Sequence, residues 1–168
     1  MRDAQRRHEQ RLAQQQRLNQ QRYLRDYYAR VRARDQRWGS YDPGWYSAPV
    51  AYRYQRAGNY HDINRYTANL LQQAVDLGYR EGRHAGRADR DDGWRPDHRN
   101  SYAWQDASYG YNGWYADSAE YTHYFREGFE RGYEDGYYER SRHGRRGDNG
   151  EYLILAAVLS AILGFQQL

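Results

Sequence analysis

Gly78-Tyr-Arg-Glu-Gly-Arg-His-Ala-Gly86, "GYREGRHAG", sets glycine at every fourth position among residues that otherwise favour helix. Fifty residues later, "GFERGYEDG" repeats the rhythm with Gly128, Gly132 and Gly136. Each glycine inside a helix costs about 1 kcal/mol against alanine, so six of them forgo about 6 kcal/mol of local helix stability. Tertiary contact has to offset that loss. Without side chains, a row spaced i, i+4 is a shallow groove that lets another helix approach closely, gaining dispersion and weak Cα–H···O contacts.

The two stretches form an internal repeat. At the offset of fifty, Gly78, Gly82, Gly86 and Arg90 coincide with Gly128, Gly132, Gly136 and Arg140. Val75 falls on Phe125, Tyr79 on Phe129 and Asp89 on Glu139. Each stretch sits in a longer helical pattern. The first runs over about residues 63–92, with Asp62 as its expected N-cap and Gly93 and Pro96 as its stop. Ile63, Tyr66, Leu70, Leu71, Ala74, Val75 and Gly78 share one side of it. The second covers about 118–143 after Asp117-Ser-Ala-Glu120, which has capping-box spacing, and Tyr121, Tyr124, Phe125, Gly128 and Phe129 share its apolar side. The expected unit, residues 61–143, is an antiparallel hairpin whose glycine ridges face each other. The connecting loop of about 24 residues is long for such a link, and its Trp and Tyr residues are expected to cap the pair. The same ridges are equally suited to pairing between chains.

Flanking segments complete an all-α expectation. Residues 1–38 carry eleven arginines against four acids, with no glycine or proline, and read as an Arg/Gln-rich helix. Such a helix is either a solvated, weakly docked element or an arm for nucleic acid or an anionic surface. Residues 39–60, with Pro43 and Pro49, read as an irregular aromatic linker. Residues 151–168, "EYLILAAVLSAILGFQQL", read as an apolar C-terminal helix. Its fourteen-residue apolar run spans about 21 Å, short of the roughly 30 Å of a bilayer core. Leu153, Leu155, Leu159, Ile162, Leu163 and Phe165 are its expected contact residues, made in a core, at an oligomer interface or at a membrane surface.

Composition limits the chemistry further. The chain of 168 residues holds 20 Tyr, 5 Trp and 16 Gly, every one of its 26 basic residues is Arg, and it has no cysteine. Disulfides and thiolate metal sites are therefore excluded, and the redox compartment stays undecided. No apolar run follows Met1, so the chain as given reads without a signal peptide, and envelope-associated and cytoplasmic locations both stay open. No phosphate-binding loop, nucleophile elbow or zinc motif occurs. Two Glu-x-x-His pairs, Glu81/His84 and Glu120/His123, match the ligand spacing of di-iron carboxylate proteins. In an antiparallel hairpin they would lie about 15 Å apart, too far to share ions. His98 beside Asp97 reads as loop structure. The expectation is a protein without catalytic, cofactor or metal residues. It would make structural or protein–protein contacts and self-associate through Gly78, Gly82, Gly86, Gly128, Gly132 and Gly136, with nucleic-acid or anionic-surface binding as the alternative.

Residues 74–140 also resemble a group of uncharacterised bacterial proteins of acidobacterial type. Their pattern is a GYxxGxxxGxxD helix, a loop with Pro-x-x-His or a close variant, and an FxxGFxxGYxxG helix. The matching residues are Gly78-Tyr79, Gly82, Gly86 and Asp89, then Pro96-Asp97-His98, then Phe125, Gly128-Phe129, Gly132-Tyr133 and Gly136. The resemblance implies an envelope-associated or exported protein and carries no activity with it.

Overall fold

The structure is a computed structural model that describes residues 2–35 and 42–168. The part of the N-terminal helix expected beyond Asp35, and the first residues of the aromatic linker, lie outside the described residues.

The centre is a pair of helices, α3 (Arg65–Asp91) and α5 (Ser118–Tyr137). Asn64 caps α3 by accepting from the Tyr66 and Thr67 amides, two residues beyond the expected Asp62. Asp117 caps α5 through the Glu120 amide. All six glycines lie on the contact between these helices, and the contacts are reciprocal. Gly78, Gly82 and Gly86 lie against the backbone of Phe125, Phe129 and Tyr133, while Gly128, Gly132 and Gly136 lie against Val75, Tyr79 and Arg83. Each glycine meets the residue three positions before its counterpart, so the offset of fifty is a pseudo-two-fold axis lying along the helices. Residue numbers rise together on both sides, so the helices run parallel. The expected antiparallel hairpin is therefore corrected. The length of the connection supplies the physical reason, because a chain joining parallel helices must return along the roughly 30 Å of α5 before it starts again. It does so through a 3-10 turn at His98–Asn100 and a short helix α4 (Tyr102–Asp106). Tyr121, Phe125, Phe129, Tyr133 and Tyr137 form a stacked ladder along α5, with successive ring centroids 6.1–6.4 Å apart.

The all-α expectation is overturned by two antiparallel sheets. The first has strand order β2-β1-β5, from β1 (Val50–Arg56), β2 (Asn59–Asn64) and β5 (Gln166–Gln167). Ala57 and Gly58 turn the β1–β2 hairpin with φ of 51° and 80°, the left-handed pair that a two-residue connection requires. Val50, Tyr52 and Tyr54 supply the strand-favouring residues in a segment whose neighbouring prolines argue for an irregular link. The second sheet pairs β3 (Gly144–Arg146) with β4 (Tyr152–Ile154).

β4 takes the first residues of the expected C-terminal helix, leaving α6 (Ala156–Leu163) only eight residues long. Gly164 closes α6 at φ 60°, and the chain then pairs with Tyr52 and Arg53 of β1. Leu163 is buried, and Leu159, Ile162 and Phe165 pack against the core. Leu153 and Leu155 are half-buried beside them. Among the described residues, no helix is long and apolar enough to cross a membrane.

The expected N-terminal helix is likewise two helices, α1 (Arg2–Gln14) and α2 (Leu18–Asp35), folded at Gln16 with φ 57°. Their buried side carries Leu12, Tyr23, Leu24, Tyr27 and Tyr28. This hairpin packs on α3, chiefly through α2.

Candidate functional site

Four carboxylates are buried around the helix pair, and each is met by an arginine and a tyrosine hydroxyl. Two lie on the seam. Asp135 accepts from the Tyr79 hydroxyl at 2.9 Å and from the amides of Arg142 and His143 at 3.2 and 2.9 Å, with Arg83 at 3.7 Å. Asp89 accepts from the Tyr133 hydroxyl, from Arg17 at 2.7 Å and from Gln20 at 2.6 Å. Under the offset of fifty, Tyr133 and Asp89 correspond to positions 83 and 139, one turn beyond Tyr79 and Asp135. The two Tyr–Asp bridges therefore obey the same pseudo-two-fold as the glycines, displaced by four residues.

The other two lie on the outer faces of the pair. Glu81 takes both guanidinium contacts of Arg30 at 2.8 Å and the Tyr23 hydroxyl at 2.9 Å, tying α2 to α3. Glu120 receives Arg56 and, at 2.5 Å, the Tyr54 hydroxyl, tying β1 to the start of α5. Burial raises the pKa of Glu120, but the hydrogen bonds of Arg56 and Tyr54 outweigh it and leave the carboxyl below its ordinary value. The partner tyrosines move the other way. Burial, then the adjacent carboxylate, holds Tyr23 and Tyr54 well above the usual phenol range. Such carboxylates hold elements together, because their lone pairs already face donors from other elements.

These pairings also place the two Glu-x-x-His motifs. Glu81 turns toward α2 and Glu120 toward β1, so the motifs do not converge. His84 is exposed with its ring edge on Tyr152, and His123 stands edge-on to Tyr124 at 4.9 Å. Among the described residues, no group of three or more His, Asp or Glu side chains is placed to hold a metal ion.

Two surfaces are available to a partner. A groove of about 970 Å³ runs between the chain after α3 and the outer side of α5. His98 lies 3.3 Å from Glu130, and His143 lies 3.5 Å from Glu134, along this groove. Asp97, beside His98, accepts from the Arg99 amide and caps the local 3-10 turn. Glu127 is engaged by Arg131 at 2.8 Å, and Glu134 by Arg140. The groove therefore offers alternating charge and hydrogen-bonding groups, with no nucleophile beside either histidine.

The second surface is the outward side of the α1–α2 hairpin. Arg6, Arg7, Arg11, Arg25 and Arg32 are exposed there, with Arg22 exposed at its edge toward α3, and none of the six has an ion-pair partner among the described residues. The other arginines of the hairpin have a different task. Arg17 is buried against Asp89 and lies 4.5 Å over the Trp94 ring, and Arg30 is held by Glu81. Asp92, the residue after α3, accepts from the amides of Asn19 and Gln20 at 2.8 and 2.9 Å, and so caps α2 from another helix. Sequence reasoning missed these anchors because every partner lies more than fifty positions away. The one signal was the interruption of the apolar stripe near Gln15-Gln16.

In comparisons with protein-family models, curated proteins and solved structures, the chain finds no match in any of the three.

Proposed function

We propose that this chain is a non-enzymatic interaction protein, in which the glycine-packed helix pair is a rigid mount for the arginine-rich α1–α2 hairpin. The carrying observation is the division of labour among the hairpin's arginines. Arg17 and Arg30 are spent on buried carboxylates, while six others are exposed with no ion-pair partner among the described residues. Holding six like charges on one hairpin costs self-repulsion, and an anionic partner relieves it. The partner that fits best is an acidic protein surface. Tyr23, Tyr27 and Tyr28 are turned inward and buried, so the hairpin offers charge and amide groups without the rings on which single-stranded bases would stack.

Binding to duplex nucleic acid is the second reading, favoured by the same unpaired arginines, which suit phosphate contacts that need no stacking. Self-association through the glycine ridges belongs to the same reading of the molecule. With both ridges facing each other inside one chain, it would proceed by exchange of α5 between copies.

The test compares the intact protein with a variant carrying glutamine at positions 6, 7, 11, 22, 25 and 32. Binding to polyglutamate and to a DNA duplex is followed across a salt series, with sedimentation recording self-association. Salt-sensitive binding to polyglutamate that the variant loses supports the first reading. Binding confined to the duplex moves the assignment to the second. Equal behaviour of both proteins on both probes refutes the proposal.

A further inference from the structure

Two aromatic segments meet at the start of α3. One is a 3-10 turn, Pro43–Tyr46, which carries Trp45 and Tyr46. The other is Tyr115-Ala116-Asp117, the approach to α5. Together with the β1–β2 hairpin they enclose a cavity of about 390 Å³. The Trp45 ring lies 4.7 Å from that of Tyr46 and 5.8 Å from that of Tyr115, inclined at 47° and 61°. The three rings therefore stand as angled walls rather than as a stack.

Both segments are pinned to α3. Asn64 donates to the Trp45 carbonyl at 3.0 Å, the Thr67 hydroxyl to the Tyr115 carbonyl, and the Tyr66 hydroxyl to Asp42 at 2.9 Å. The Asp42 amide donates to the Tyr115 hydroxyl at 3.0 Å. Tyr115 holds φ at 72°, a left-handed conformation that a bulky residue adopts only when its surroundings impose it. The Tyr115 ring is thus set beside Trp45 against a backbone cost.

What the walls have left to offer decides what the cavity accepts. The side chains of Asn64 and Thr67 are engaged with backbone groups and the Tyr54 hydroxyl with Glu120, so a sugar would find few hydrogen-bonding groups to use. Asp62, Asp117 and Glu120 line the cavity, and among the described residues no arginine does, which disfavours an anion. Behind the walls, Arg53 holds Asp62, Arg56 holds Glu120 and Arg65 acts on Asp42. Asp117 has no ion-pair partner among the described residues and meets the amide end of α5 instead. The charges are thus close to balance, and the selective feature is the rings. Their electron-rich faces attract a cation, most readily one whose charge is spread over methyl groups and needs no hydrogen bond. A primary ammonium or guanidinium would compete for carboxylate oxygens that Arg53 and Arg56 already occupy.

We infer that Trp45, Tyr46 and Tyr115 form a binding site for a small quaternary ammonium ion, with Asp117 at its edge. No residue of the α1–α2 hairpin lines this cavity, so the site is independent of the hairpin's surface.

The experiment titrates the full chain with choline, following the Trp45 indole by NMR. Saturable binding is expected with a dissociation constant of about 1 mM. The neutral isostere of choline, with carbon in place of the quaternary nitrogen, should not saturate the site. Tyr46 is 79% exposed, so Tyr46→Leu leaves the fold intact and keeps the apolar bulk while removing the ring. It should weaken binding about fivefold, and Trp45→Leu at least as much. Asp117→Asn keeps a side chain able to cap α5, removes the charge, and should weaken binding about threefold. Absence of saturable binding overturns the inference, as does equal binding of the neutral isostere or undiminished binding to a folded Trp45→Leu/Tyr46→Leu protein. Binding to phosphatidylcholine vesicles without binding to free choline would overturn the small-ion assignment in favour of a lipid headgroup.

Discussion

Substituting Gly82 by alanine sets two effects of opposite sign against each other. In an isolated helix the change is favourable by about 1 kcal/mol, because alanine gives up less backbone entropy. In the folded protein, an ideal Cβ at Gly82 would sit 2.8 Å from the Tyr133 amide nitrogen and closer still to the Phe129 carbonyl, where ordinary contact begins at 3.4 Å. Both neighbours are backbone atoms of α5, so no side chain can swing aside. To restore ordinary contact with the Phe129 carbonyl the helices must part by more than about 1 Å, and even a gap of about 0.5–1 Å forfeits a quarter to a half of the dispersion energy of the atoms it separates. Parting also loosens the seams at Gly78 and Gly86, one turn to either side. The cost of overpacking a close-packed core, about 1–3 kcal/mol, is therefore expected at its upper end and exceeds the propensity gain. Urea unfolding followed by circular dichroism should show a net loss of about 2 kcal/mol for Gly82→Ala. Asn69→Ala, on the exposed side of the same helix, should be neutral to slightly stabilising. The double variant Gly82→Ala/Gly132→Ala should cost less than the two single losses combined, because one separation of the helices relieves both clashes. Equal or higher stability for Gly82→Ala would refute the close-packed seam.

His8 is buried against Tyr102, and burial first, then the charges of Arg11 and Arg17, lowers its pKa to about 4. The unfolded chain takes up a proton near pH 6.5 that the folded chain refuses, so stability is complete above about pH 6.5 and falls by about 3 kcal/mol as the pH drops toward 4. His8→Phe should flatten that part of the stability–pH curve, and an unchanged curve contradicts the assignment. At the alkaline end the sign is reversed. Burial holds Tyr23 and Tyr27 well above the phenol range and pushes Tyr124 up to about 12, so the folded chain keeps protons that the unfolded chain releases. Stability should hold below about pH 10 and then fall by about 1.4 kcal/mol per pH unit for each such tyrosine, with phenolate absorbance appearing together with unfolding. Phenolate formation well before unfolding would show that these hydroxyls are open to solvent. Asp92→Ala removes the cap that α3 gives to α2 and should cost about 1 kcal/mol, with amide exchange rising first at Asn19 and Gln20. Uniform exchange across both helices would exclude that local role.

The glycine seam was legible because its cause is local in sequence. A residue without a side chain recurring at helical spacing, twice at a fixed offset, can be compensated only by close contact. The Gly93 stop and the Asp117 cap mark two of the ends, whereas α5 stops at Tyr137, short of the expected 143. The direction of packing was not legible. Parallel and antiparallel pairings bury the same ridges equally well, and the choice rests on how residues 92–117 fold on their return. The strands were hidden for a different reason. β1 gains its stability from pairing with β2 and β5, so Val50–Arg56 beside Pro49 carries little signal of its own. Tyr152–Ile154 reads as helix until β3 comes alongside.

The arginine- and tyrosine-rich composition announced a core built from polar-tipped side chains, and that much follows from the sequence alone. Large aliphatic residues are too few in residues 1–150 to close an ordinary apolar interior, so hydroxyls and guanidinium groups had to be buried with partners. Which carboxylate meets which arginine was decided by tertiary structure. Arg17 and Asp89, Arg30 and Glu81, and Arg56 and Glu120 are separated by 72, 51 and 64 positions, and no spacing rule connects groups that only a completed fold brings together.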